Sequence, residues 1–223
     1  MAPGLHQLGA AGLRPADARE AASAEALLYV PAGYAEDRPA PLVVLFHGAS
    51  GVAEHGLGLF RGLADELGLV LLAPHSVGAT WDVIGGGYGP DVARVDRALA
   101  RTFRRVAVDP RRVAVGGFSD GASYALSLGL TNGDLLRRVA AFAPGFVAPA
   151  GAYGAPEVYV AHGTRDAVLP IERCSRRIVP ALREAGYAVT YREFDGGHVV
   201  PPELATEAAR WLVDGGAPPP DGA

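Results

Sequence analysis

A serine set between glycines, a histidine on a second glycine-flanked loop and carboxylates between them are the residues of this 223-residue chain whose types and order could do chemistry. Gly117-Phe118-Ser119-Asp120-Gly121 follows the apolar run Val113-Ala114-Val115 and leads into Ala122, Ala125, Leu126 and Leu130 at helical spacing. That pattern predicts a strand, a sharp turn and a helix, with the serine hydroxyl presented at the turn and glycines where side chains would crowd it. A serine hydroxyl is a weak nucleophile at neutral pH until a positioned imidazole takes its proton, and the imidazole needs an acid to fix its tautomer. His198, in Gly196-Gly197-His198 and just ahead of Pro201, is the favoured base; His162, which ends a strand and precedes Gly163, is the rival. For the acid, Asp166 on the loop beyond the same strand is favoured over Asp195, which lies only three residues from His198 and would have to fold back on it.

An acyl carbonyl gathers negative charge as a serine attacks it, and backbone N–H groups aimed at that oxygen stabilise the charge. The residue after the nucleophile, Asp120, is expected to supply one amide at a helix start, where the helix dipole helps. Ala49, in the turn His47-Gly48-Ala49 after an early apolar strand, is expected to supply the second, with the His47 ring holding that turn in shape.

These residues need elements to position them. Strand patterns occur at 26–30, 42–46, 69–73, 113–115, 139–143, 158–161 and 188–194, and the runs Leu42-Val43-Val44-Leu45-Phe46 and Leu69 to Ala73 are apolar throughout, as in strands buried on both faces. Helical spacing links them at 56–67, 91–106 (Val92, Val95, Leu99, Thr102 and Phe103 on one face), 171–185 and 201–213. Seven strands interleaved with helices predict an α/β fold with a mostly parallel sheet covered on both faces. In such sheets ligands bind beyond the carboxyl ends of the strands, where His47, Ser119, His162, Asp166 and His198 all fall.

Composition removes whole classes of function. All 20 basic residues are arginine, so Schiff-base, pyridoxal-phosphate, phosphate-loop and Ser/Lys chemistries have no lysine to use. The single Cys174 permits no internal disulfide and is expected to pack in a helix, and no histidine pair has metal-ligand spacing. With a formal net charge of −4 and arginine pairs scattered along the chain, nucleic acid is not an expected partner. The first 26 residues lack an uninterrupted apolar segment and no later stretch reaches membrane-spanning length, so a soluble cytoplasmic protein, monomeric or homodimeric, without cofactor, is expected.

Taken together, Leu45-Phe46-His47-Gly48, Gly117-Phe118-Ser119-Asp120-Gly121, His162-Gly163-Thr164-Arg165-Asp166 through Pro170, and Gly196-Gly197-His198 make the chain resemble, from about Ala24 to Val213, the phospholipase/carboxylesterase family of α/β-hydrolases. That family includes acyl-protein thioesterases and small bacterial esterases. The resemblance implies Ser119 as nucleophile, His198 as base and Asp166 as acid, working through an acyl-enzyme without a cofactor. It also implies one hydrolase domain over 24–214, after an N-terminal extension at 1–23, while the Pro/Gly composition of 215–223 predicts a flexible tail. Thioesterase members carry an uncharged residue, often Gln, after the serine; here Asp120 would oppose the oxyanion unless its side chain turns away.

Between Pro144 and Pro156 there is room for only a short segment where such a fold would insert a lid. A shallow open groove is therefore expected, walled by Trp81, Phe146, Val168 and Leu169, suited to small esters of short to medium acyl chains. Thioesters, lysophospholipids and polyester chains could use the same three residues. A peptidase or dienelactone-type hydrolase on the same fold, and a non-catalytic binding protein that has kept it, are the other classes; the second is disfavoured by the intact serine, acid and histidine.

Overall fold

The computed structural model describes residues 1–9, 12–15 and 24–214. A nine-stranded sheet runs through it in the order β2-β1-β3-β5-β4-β6-β7-β8-β9. The strands are β1 (Gly4–Gly9), β2 (Gly12–Pro15), β3 (Ala26–Val30), β4 (Ala40–Phe46), β5 (Val70–Pro74), β6 (Val108–Phe118), β7 (Arg138–Phe142), β8 (Glu157–Gly163) and β9 (Val189–Phe194). From β5 to β9 every neighbouring pair is parallel, while β2, β1 and β3 join antiparallel at one edge.

The apolar runs explain which strands are central. Every residue of β3, β4 and β5 is buried, because helices or chain cover both faces. On one face lie α3 (Pro90–Phe103), α4 (Asp120–Thr131) and α5 (Ser175–Glu184), packing Val95, Leu99, Tyr124, Leu126, Ile178 and Leu182 onto Leu42, Val44 and Val115. On the other lie α1 (Ala53–Gly58), α2 (Ala64–Leu67) and α6 (Pro202–Asp214), packing Leu57, Ala64, Ala208 and Trp211 onto Val43, Leu45, Ala140 and Tyr159. Helix α4 is buried at every position from Gly121 to Leu130, as expected of a helix apolar on all sides.

All seven sequence-derived strands are present, and the differences have physical causes. The sequence assigns no element before Ala26, yet β1 pairs with β3 in the register Leu5↔Tyr29 and Leu8↔Ala26, which puts Leu8 out of contact with solvent. The helix expected over 56–67 breaks into α1, a 3-10 turn at Arg61–Leu63 and α2, at a segment carrying Gly58 and Gly62. Phe103 is exposed, and Ala98 takes the buried place on α3 instead. Cys174 is buried but stands at the position just before α5 rather than inside it, and burial pushes its thiol pKa up. The expected tail at 215–223 lies outside the described residues, as do residues 10, 11 and 16–23 of the expected extension. Among the described residues no helix is long and apolar enough to cross a membrane, and Pro144–Pro156 forms neither helix nor strand.

Candidate active site

Ser119 sits between the end of β6 and the start of α4 with φ 60° and ψ −123°. An L-residue pays for a positive φ with strain on the order of 1–3 kcal/mol, which persists only where the surroundings over-determine it. Here the Ser119 amide donates to the Phe142 carbonyl at 2.9 Å, and the turn is walled by backbone. A Cβ on Gly117 would lie 2.3 Å from the Gly121 carbonyl oxygen, and one on Gly121 would lie 2.3 Å from Phe46 O and 2.5 Å from His47 O. The two glycines are thus required by close approach of β4, β6 and α4, and the serine's geometry follows from that packing.

Ser119 Oγ lies 2.9 Å from His198 Nε2, and His198 Nδ1 lies 2.6 Å from Asp166 Oδ2. Nδ1–H donates to the carboxylate, which leaves Nε2 as the acceptor for the serine hydroxyl. The other Asp166 oxygen accepts the amides of Val168 at 2.9 Å and Leu169 at 2.8 Å, so the carboxylate is held from both sides. Burial acts to raise the Asp166 pKa, but the His198 hydrogen bond and the two amides outweigh it and hold the carboxyl below its ordinary value. The structure therefore joins Ser119, His198 and Asp166 in one hydrogen-bonded chain.

The rival residues fall elsewhere in the network. His162 is fully buried, with Nδ1 2.6 Å from the Ser175 hydroxyl and Nε2 2.8 Å from the Leu169 carbonyl. Its Nε2 also lies 3.3 Å from Asp166 Oδ2, so it braces the acid from behind and does not reach Ser119. Burial holds its imidazole pKa below the usual range. Asp195 is exposed and pairs with Arg165, linking the loop after β8 to the loop after β9.

The turn after β4 lies directly on the serine: a Cβ on Gly48 would be 3.3 Å from Ser119 Cβ. Ser50 and Gly51 donate their amides to Ala79 O at 2.6 Å and Gly48 O at 3.0 Å, whereas the amides of Ala49 and Asp120 have no acceptor among the described residues. Buried His47 donates Nδ1–H to Gly48 O at 2.8 Å and accepts the Ser76 amide on Nε2 at 3.2 Å, which fixes the turn's shape. The Asp120 carboxylate accepts the Thr80 hydroxyl at 2.7 Å.

Trp81 is a correction. It is 1% exposed, stacked on Tyr124 with ring centroids 4.8 Å apart, and its indole N–H donates to His47 O at 2.8 Å. An aromatic ring in a glycine-rich loop reads as a groove wall, but here it is core that pins the His47 turn. Val168 is 65% exposed, and Phe146 and Leu169 are half-buried, with Leu169 within reach of Gly145.

Three contributors escape the sequence reading. Phe118 packs its ring against the His198 imidazole, centroids 4.6 Å apart. Thr80 holds Asp120. Ser123, Ser127 and Thr131, one per turn of α4, accept the amides of Gly145, Ala148 and Ala150 at 2.9, 3.0 and 3.1 Å, and so zip the Phe146 segment to the helix. Only the last has a sequence signal, hydroxyl residues at i, i+4 and i+8 on an otherwise apolar helix.

A family profile described as Phospholipase/Carboxylesterase matches residues 93–212, a span that includes Ser119, Asp166 and His198 and leaves Ala49 outside. Among solved structures, esterase PE8 is 24% identical with a TM-score of 0.68, over 83% of this chain and 95% of its own. S-formylglutathione hydrolase from Staphylococcus aureus is 14% identical with a TM-score of 0.69, over 85% and 90%. Acetyl xylan esterase from Aspergillus awamori is 16% identical with a TM-score of 0.65, over 84% and 93%. At these identities the likeness is one of fold. No curated protein sequence matches the chain.

Proposed function

The chain belongs to the phospholipase/carboxylesterase family of α/β-hydrolase-fold hydrolases, and from that premise we propose that it cleaves carboxylic esters of short to medium acyl chain with Ser119 as nucleophile, His198 as base and Asp166 as acid. The observation that carries this reading is the hydrogen-bonded chain from Ser119 Oγ through His198 to Asp166 on a strained turn.

Ser119 Oγ attacks the acyl carbon as its proton passes to His198 Nε2, and Asp166 stabilises the imidazolium that results. The carbonyl oxygen takes up the negative charge and is met by the amides of Ala49 and Asp120, which have no other acceptor among the described residues. His198 then returns the proton to the leaving oxygen as the carbon–oxygen bond breaks. A water molecule, deprotonated by His198, cleaves the acyl-enzyme and restores Ser119. Phe146, Val168 and Leu169 wall the acyl side, and the short Pro144–Pro156 segment leaves the site open to small esters.

A thioester substrate is the second reading, since the same attack expels a thiol and one structural neighbour bears the name S-formylglutathione hydrolase. Hydrolysis of a p-nitrophenyl ester series from acetate to palmitate, by wild type and Ser119→Ala, with fluorophosphonate labelling of both, tests the main reading. Active, labelled wild type beside an inert, unlabelled Ser119→Ala supports it; equal and negligible turnover by two folded proteins refutes it. Acyl-thioesters run in parallel decide ester against thioester.

A further inference from the structure

Between α1 with its following 3-10 turn and the start of α6 runs a groove of about 490 Å³. Leu59 and Leu63 with the polar His55 form one wall, and Val200, Pro202 and Ala205 with the polar Thr206 form the other. Its walls continue the two segments that leave the site: α1 follows the Ala49 turn, and Val200 is two residues beyond His198. Phe118 packs against the His198 ring, and Val200, on the groove wall, is two residues from His198, which bounds the distance between their Cα atoms to about 7 Å. Val52 and Val199, on those same segments, are 39% and 54% exposed.

We propose that this groove binds the apolar alcohol portion of the ester, the leaving group, which rests on the hydrolase reading given above. The leaving oxygen must come within hydrogen-bond reach of His198 Nε2 to receive its proton. The alcohol carbons therefore emerge beside His198, two residues from the groove wall at Val200, and a mainly apolar lining, with His55 and Thr206 its polar side chains, selects an alkyl or aryl alcohol over a sugar or a charged head group. Glycine supplies the room: a Cβ on Gly58 or on Gly62 would meet no atom within 4 Å.

That open space also supplies the test. Gly58→Leu and Gly62→Leu place side chains into the groove without a clash, with Gly58→Ala as the control for backbone effects. Initial rates are followed by pH-stat for two series, ethyl to octyl esters of acetic acid and ethyl esters of acetic to octanoic acid. We expect wild-type kcat/KM to rise along the alcohol series, and each leucine variant to lose about tenfold or more on hexyl and octyl acetate while ethyl acetate and the acid series stay within about twofold. A loss confined to the acid series would assign the groove to the acyl chain and overturn the proposal, as would leucine variants indistinguishable from wild type on both series. Failure of the hydrolase reading looks different: no ester in either series would be turned over in a Ser119-dependent way, and both proposals would fall together.

Discussion

Thr80 Oγ1 donates a 2.7 Å hydrogen bond to Asp120 Oδ2 and so ties down the carboxylate that follows the serine in the chain. The loop that carries Thr80 is itself braced, since Asp91 accepts the amides of Val77 at 2.6 Å and Asp82 at 2.8 Å. Thr80→Val keeps the shape and removes the donor, which frees a negative charge beside the Asp120 amide. We expect kcat for p-nitrophenyl acetate to fall about tenfold, less than removal of an oxyanion donor costs, with KM little changed. Thr80→Val combined with Asp120→Asn should recover most of that loss; a double variant as slow as the single one would show that Thr80 acts only on loop structure.

Asp166→Asn should lower kcat by about a thousandfold or more, because an amide at this position no longer fixes the His198 tautomer. It should also change the acid limb of stability. The Asp166 pKa lies below its ordinary 3.8 in the folded protein, so its contribution is present above that value and is lost as pH falls through the lower folded value. The stability gap between wild type and Asp166→Asn, measured by urea denaturation, should therefore be larger at pH 7 than at pH 3.

His47 and His162 act at a higher pH. Burial holds both imidazoles below their ordinary 6.5, so the unfolded chain binds protons first as the solution is acidified. Stability should decline below about pH 6.5, by up to about 1.4 kcal/mol per pH unit for each histidine. Urea denaturation of wild type and His162→Asn between pH 7.5 and 5 checks this: the variant should be less stable at pH 7.5 but decline less steeply.

Ser127→Ala removes the acceptor for the Ala148 amide and the donor to the Ser123 carbonyl. A cost of about 1 kcal/mol is expected, with the larger effect in hydrogen exchange. Amides at 145–148 and 150 should exchange faster than in wild type while those of β4 and β6 are unchanged, which would identify the hydroxyl row on α4 as what holds the Phe146 segment in place.

The parts of this molecule that could be read from sequence are those set by local pattern. β4 and β5 declare themselves as unbroken apolar runs, and the Ser119 turn by glycines that a Cβ would drive into backbone. His198 and Asp166 could be favoured over His162 and Asp195 because loop position relative to strand ends limits what each can reach. What escaped is set by contacts distant in sequence. β1 exists through its pairing with β3, Trp81 is buried by Phe46 and Tyr124, and Phe118 and Thr80 act on His198 and Asp120 across space. No window of neighbouring residues contains those partners.

The serine turn borrows a carbonyl from the end of β7 and rests against the backbone at the end of β4, although Ser119 itself follows β6. Three adjacent strands, contributed by chain segments from Ala40 to Phe142, must all be in register before the hydroxyl has its working conformation. Turnover is thus an assay of assembly: a refolding chain should gain activity only when its central strands have zipped, whatever helix content it already shows. By the same token, heat should abolish catalysis in step with the melting of that centre rather than with the fraying of either end.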